Sequence, residues 1–220
     1  MATILCIETA TTNCSVALSV NGSVIALKED YNTSYSHAER LHVYIEELLL
    51  KNNISKSQLT AIAVSKGPGS YTGLRIGVSA AKGLCFALDI PLISVPTLDS
   101  LAYQVKEKEG VIVSMLDARR MEVYSAIYNA ENKKQLRETR AEVLDENSFS
   151  DYLEKGNVYF IGDGVEKFKT ICSHKNAIFI EGKLPSANNM GLLANEKHKK
   201  SDIEDVAYFE PYYLKDFIAG

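Results

Sequence analysis

A chain of 220 residues fits one large domain or two small ones, and with 46% hydrophobic and 24% charged residues it is neither disordered, collagenous nor a disulfide scaffold. Its 24 Lys and Arg against 28 Asp and Glu leave a net charge of −4, which argues against tight unaided binding to a polyanion. The four cysteines, Cys6, Cys14, Cys85 and Cys172, lie apart in apolar runs without a C-x-x-C pair and read as reduced core residues. With no basic leader at the N-terminus and no run near the roughly 20 apolar residues of a membrane span, the expected location is the cytoplasm.

Residues 3–7 form a short β-branched run, and residues 14–20 (Cys-Ser-Val-Ala-Leu-Ser-Val) alternate with the period of a strand. Asn21-Gly22 follows, a dipeptide favoured in type I′ turns because both positions accept positive φ, so residues 23–29 are expected to fold back antiparallel. The period then changes. Ser36-x-x-Glu39 has the form of a capping box, and Ala38, Leu41, Ile45, Leu48 and Leu49 recur at helical steps, predicting a helix over 36–51. A strand at 60–65, a glycine-rich turn, a helix over 71–88, a strand at 91–95 and a helix opening at Pro96 complete the order βββαβα.

The second half starts the pattern again, with strands at 111–116, 121–128 and near 135–144, a helix at 147–155, a strand at 158–161, the turn Gly162-Asp163-Gly164 and a helix at 165–173. Each half carries an acid at the end of its first strand, Glu8 and Asp117, and glycines at the end of its fourth, Gly67/Gly69 and Gly162/Gly164. The polar stretch near 101–110 marks the junction, which predicts an α/β protein with subdomains at 1–103 and 104–220, residues from about 205 onward packing back on the first.

The turn Glu8-Thr9-Ala10-Thr11-Thr12-Asn13 offers hydroxyls and backbone N–H groups to a phosphate and a carboxylate to a hydrated metal, although a plain polar hairpin turn accounts for it equally well. It resembles the first phosphate loop of the actin, Hsp70 and sugar-kinase superfamily, whose fold is a duplicated βββαβα unit around a nucleotide cleft. Glu8 departs from that superfamily's aspartate and Ala10 from its glycine, and both changes would crowd a phosphate. Lys66-Gly67-Pro68-Gly69-Ser70 leads from strand to helix but lacks the ending of a Walker A loop and is no G-x-G-x-x-G. In the following helix Gly73, Gly77, Ala81 and Leu84 share a face with Ala80 beside them, at ~1 kcal/mol for each interior glycine. That thin face suits either a close partner helix or the chain's own sheet, and periodicity alone favours the sheet.

Gly67-Pro-Gly-Ser-Tyr-Thr-Gly-Leu-Arg-Ile-Gly77, then Ala80-Ala81-Lys82-Gly83-Leu84, then Asp117-Ala-Arg-Arg-Met-Glu-Val-Tyr124, resemble the bacterial TsaB (YeaZ) family over about residues 3–128; further on, Ile161 to Gly164 and Tyr212-Tyr213-Leu214 do so too. The resemblance implies two actin-like (RNase H-like) subdomains, each a mixed five-stranded sheet with helices. It also implies a non-catalytic subunit with no metal of its own. Such a subunit would pair with a TsaD-like catalytic subunit and a TsaE-like ATPase for threonylcarbamoyl transfer to the adenosine beside the anticodon of tRNAs reading codons that start with A. Transfer RNA is then reached indirectly, a homodimer forms in isolation, and no cofactor is expected, the subunit junction being the one place left for residual ATP or ADP.

On this reading the partner surface comprises His37, Leu41, Tyr44, Ile45, Leu48, Gly73, Arg75, Gly77, Ala80, Ala81 and Leu84, and the vestigial nucleotide loop comprises Glu8, Thr9, Thr11, Thr12, Asp117, Gly162 and Gly164. The catalytic paralogue holds its metal with an H-x-x-x-H pair, whereas His37 and His42 stand five steps of ~100° apart, about 140° round a helix, and do not close on one ion. His174, His198 and the basic run Lys197-His198-Lys199-Lys200 read as solvated, Tyr208, Tyr212 and Tyr213 as packing a last element, and Asp117-Ala118-Arg119-Arg120 as a hairpin turn knit by salt bridges. The competing class is an ATP-dependent phosphotransferase or ATPase using Glu8, Thr11, Thr12 and Asp117 around a metal-bound nucleotide.

Overall fold

The computed structural model describes residues 1–31 and 37–215. Strands β1 (Thr3–Glu8), β2 (Cys14–Val20) and β3 (Ser23–Asp30) are followed by α1 (His37–Lys51), β4 (Ala61–Ser65), α2 (Tyr71–Leu88), β5 (Leu92–Val95) and α3 (Thr97–Ala102). Then come β6 (Val111–Asp117), β7 (Glu122–Asn129), β8 (Gln135–Val143), α4 (Ser150–Leu153), β9 (Val158–Ile161), α5 (Val165–Lys169), β10 (Ala177–Ile180) and α6 (Gly191–Lys199).

The strands form two five-stranded sheets, ordered β3-β2-β1-β4-β5 and β8-β7-β6-β9-β10. In each, the first strand of the half pairs antiparallel with the second and parallel with the fourth, so the duplicated βββαβα plan and the α/β class are as the sequence predicts. Asn21 and Gly22 take the positive φ values, 51° and 91°, that the β2–β3 hairpin requires. Ser36 of the expected capping box lies outside the described residues.

The chain divides into two compact units, one made of Met1–Ser100 with the described part of Pro185–Gly220, the other of Leu101–Leu184. This corrects the expected division: residues from 185, and not only those from about 205, go with the first unit. The reason is visible in β1, which is buried along its whole length. Leu5 and Ile7 join Leu41, Ile45 and Leu48 of α1 on one side. Ile4 and Cys6 need cover on the other, and Ala187, Met190 and Ala194 supply it. Polar contacts fix the same segment. Asn13 Nδ2 donates to the Pro185 carbonyl (2.9 Å), Ser186 Oγ to Glu29 Oε2 (2.7 Å), and the Ala187 N–H to Ser15 Oγ (3.0 Å). Further on, the Glu204 N–H donates to the Leu92 carbonyl (2.8 Å), covering part of the free edge of β5.

The second unit is closed by aromatic packing, with Phe149, Phe160, Phe168 and Phe179 at ring separations of 4.9 to 6.2 Å. Its helices α4 and α5 are shorter than the periodicity predicts, and β10 supplies the fifth strand that the resemblance implies at a position the periodicity does not mark. All four cysteines are buried and free. Among the described residues no helix is long and apolar enough to cross a membrane.

Candidate functional site: a closed phosphate loop and an open helix groove

Because β1 and β4 run parallel, their C-terminal residues Glu8 and Ser65 meet. Glu8 is fully buried, and its Oε1 accepts from the Ala10 N–H and from Ser65 Oγ, both at 2.7 Å. Burial pushes its carboxyl up to about 7, against the pull of these hydrogen bonds. Among the described residues Oε2 has no hydrogen-bond partner.

The loop after Glu8 turns onto the start of α2. The Ala10 carbonyl accepts the Ser70 N–H (2.7 Å), while Ser70 Oγ caps the helix by accepting from the Gly73 N–H (3.2 Å). Thr9 Oγ1 donates to the Gly73 carbonyl (2.8 Å), and Thr11 Oγ1 accepts from the Asn13 N–H (3.4 Å). The Thr11 carbonyl accepts from His37 Nε2 (2.8 Å), which places the ring proton on that nitrogen; burial holds this imidazole below its ordinary range. Thr12 is half-buried. The N–H groups of Ala10, Asn13, Ser70 and Gly73 are therefore already paired within the unit and are not presented to a phosphate.

The same contacts explain the thin face of α2. A Cβ on Gly73 would lie 2.1 Å from the Thr9 carbonyl oxygen, and one on Gly77 would lie 2.2 Å from Thr9 Oγ1. Ala81 is fully buried behind them. This face is turned to the β1–β2 loop and the sheet, not to a partner, and Gly73, Gly77 and Ala81 drop out of the expected partner surface. His37, Leu41, Ile45 and Leu48 drop out likewise, being buried beneath α1. Tyr44 is half-buried, its hydroxyl donating to Asp30 Oδ2 (2.9 Å).

What remains open lies between the outer faces of the same helices. A groove of about 670 Å³ is lined by Ala38 and His42 of α1 and by Tyr71, Thr72, Arg75, Ile76, Ser79, Ala80, Gly83 and Leu84 of α2. Arg75, Ala80 and Leu84 of the expected surface are here. Arg75 lies 4.2 Å above the Tyr71 ring and donates through Nε to the Tyr213 hydroxyl (3.3 Å), with the two tyrosine rings 5.0 Å apart. Val43, Leu50 and Phe86 add exposed apolar surface on these helices, at 50%, 80% and 85% exposure. The three tyrosines expected to pack a last helix or strand lie on a segment that is neither: Tyr213 packs on Tyr71, while Tyr208 is 83% and Tyr212 46% exposed.

The second unit's candidate residues gather at the ends of β6 and β9. Asp117 Oδ1 accepts from Lys167 Nζ (2.9 Å) and the Arg119 N–H (2.6 Å), while the Asp117 N–H donates to Asp163 Oδ1 (2.8 Å). Burial raises the Asp163 carboxyl above its ordinary range. Gly162 has φ of 117°, and a Cβ there would meet the Met115 carbonyl oxygen at 2.0 Å; one on Gly164 would meet Val123 Cγ1 at 2.9 Å. These glycines let the turn close on β6. The hairpin 118–121 is present, but its ion pair joins Asp117 to Lys167 and not to the arginines, which corrects the expected knitting. Among the described residues no three His, Cys, Asp or Glu side chains gather as metal ligands; His37 is buried and His42 exposed.

Sequence reasoning missed the Asn13–Glu29–Ser186 tether and the Tyr71–Arg75–Tyr213 cluster, which join residues more than a hundred positions apart and leave no local signature. Lys197, expected to be solvated, donates to Ser94 Oγ (3.4 Å) and pairs with Asp202 (3.3 Å).

Residues 31–220 match the family model described as TsaD, tRNA N6-adenosine threonylcarbamoyltransferase. The chain is 31% identical to the tRNA threonylcarbamoyladenosine biosynthesis protein TsaB of Escherichia coli K12, over 98% of this chain and 96% of that protein. It is 39% identical to the protein of the same name from Bacillus subtilis 168 over 59% of this chain and 56% of that one. The solved structure of YeaZ from Pseudomonas aeruginosa superposes with a TM-score of 0.83 at 27% identity, covering 97% of this chain and 100% of that chain.

Proposed function

The chain belongs to the TsaB family, and on that premise we propose that it is the non-catalytic subunit of tRNA threonylcarbamoyladenosine formation, pairing with a TsaD-like catalytic subunit and helping to recruit a TsaE-like ATPase. A role in this biosynthesis follows from the family; the division of labour is our reading. The observation that carries it is the closed phosphate loop, whose Ala10, Ser70 and Gly73 N–H groups are already used by the chain itself. The matching family model describes the transferase, but the histidines here do not repeat its pair: His37 holds the Thr11 carbonyl from within the core and His42 faces outward.

The α1/α2 groove is the surface we assign to the catalytic subunit, and to a second copy of this chain in its absence, since an isologous patch pairs with itself. Arg75 on Tyr71 supplies the planar cation and aromatic pair that central interface positions favour. Residual ATP or ADP would bind only at that subunit junction. Titration calorimetry of the isolated chain with Mg-ATP is expected to give no heat of binding; micromolar binding with turnover would replace this reading with the actin-like ATPase. Ser79→Arg, a change at an exposed position of the groove, is expected to abolish co-purification with the catalytic subunit at an unchanged melting temperature, and undiminished pairing would remove the groove from the account.

A further inference from the structure

Among the described residues, consecutive positions take positive φ in two places: Asn21-Gly22, with 51° and 91°, and Arg119-Arg120, with 70° and 49°. The first is a pair that hairpins favour. The second is not. Arginine has a Cβ that the left-handed region strains and lacks the short polar side chain that lets asparagine or aspartate settle there.

The turn needs the backbone shape, not the guanidinium groups. It is held by the Ala118 N–H to the Glu122 carbonyl (3.0 Å), the Glu122 N–H to the Arg119 carbonyl (3.1 Å) and the Arg119 N–H to Asp117 Oδ1. Below it, Met121 packs on the unit's core. Both arginines are exposed, and among the described residues neither guanidinium makes a hydrogen bond or ion pair. Of the two nearest carboxylates along the chain, Asp117 is paired with Lys167, and among the described residues neither it nor Glu122 forms an ion pair with Arg119 or Arg120. Strain is thus kept at a tip that presents two adjacent, uncompensated cations on a stiff hairpin.

We propose that Arg119 and Arg120 form a contact for RNA phosphodiesters. Guanidinium groups meet phosphate oxygens in a bidentate manner, and the hydrogen-bonded turn fixes the two backbones, so binding has only the side-chain rotamers left to order. With a net charge of −4 the chain does not hold RNA through a broad field, so a local contact of this kind adds to binding by a larger assembly instead of replacing it. The choice of RNA as the polyanion rests on the function proposed above.

The test compares the wild-type chain, the pair Arg119→Asn with Arg120→Gly, and the pair Arg119→Lys with Arg120→Lys. Each is assembled with the catalytic subunit and titrated with a tRNA transcript between 50 and 200 mM salt. The Asn-Gly pair is expected to keep or raise the melting temperature while lowering the slope of log affinity against log salt by about 1 to 2, roughly a tenfold smaller change across that range. The lysine pair is expected to keep the slope. An unchanged slope in the Asn-Gly pair overturns this inference alone. A wild-type assembly that binds no tRNA overturns the proposed function with it.

Discussion

Thr9 decides the shape of the first unit's functional end, because its carbonyl and hydroxyl occupy the space that side chains at positions 73 and 77 would need. The two glycines fail differently. At position 77 the obstacle is the Thr9 hydroxyl, with the next contacts at 3.4 and 3.5 Å. Gly77→Ala is therefore expected to cost about 2 kcal/mol, overpacking outweighing ~1 kcal/mol of helix propensity, and to become neutral or stabilising in a Thr9→Ala background. At position 73 the obstacle is backbone, so Thr9→Ala gives Gly73→Ala no relief. Chemical denaturation of the double-mutant cycle measures both. Glu8 adds a pH signature. Its folded carboxyl titrates near 7 and its unfolded one near 4.5, so the native state holds the extra proton between those values. Stability from this group is full below pH 4.5 and falls, by about 3 kcal/mol in all, as pH rises through 7. His37, held below its ordinary range, works in the opposite direction by destabilising the fold as pH falls. Glu8→Gln is expected to remove the Glu8 component and raise the melting temperature at pH 8 relative to wild type; an identical pH profile would refute the assignment. Spacing made it legible that Gly73, Gly77 and Ala81 share a face, but spacing cannot say which neighbour that face meets, and Thr9 is more than sixty residues away.

At the scale of elements, the hairpins and crossovers were legible because their signals are local. Asn21-Gly22 sets one turn, the change of period at α1 ends the meander, and the β-branched runs mark strands buried on both faces. The stretch after residue 184 was not legible, since its place depends on β1 lacking cover on one face. Met190, fully buried against Ile4 and Cys6, makes this testable. Met190→Ala is expected to cost about 3 kcal/mol and to speed amide exchange along β1 while β6 is unaffected. Loosening confined to residues 101–184 would return the segment to the second unit. The helices α1 and α2 carry two roles on opposite faces, an apolar side that closes the core and an outer side that lines the groove. Amphipathic spacing identified the buried side of α1, and the functional expectation was attached to that side instead of the exposed one.

Across the whole chain, both units repeat one strand order, and in the first unit the Ala10, Ser70 and Gly73 N–H groups are paired within the unit itself. The mild acidity is consistent with a subunit that leaves most phosphate contacts to others and offers one cationic tip of its own. On the function proposed above, this chain is needed for threonylcarbamoyl transfer without performing it. The direct measurement is transfer to a tRNA transcript by the TsaD-like subunit and TsaE-like ATPase, with and without this chain and with its Ser79→Arg variant. Transfer is expected only when the wild-type chain is present, with background alone for Ser79→Arg; transfer at full rate without the chain, or by the chain alone, would make it dispensable or catalytic.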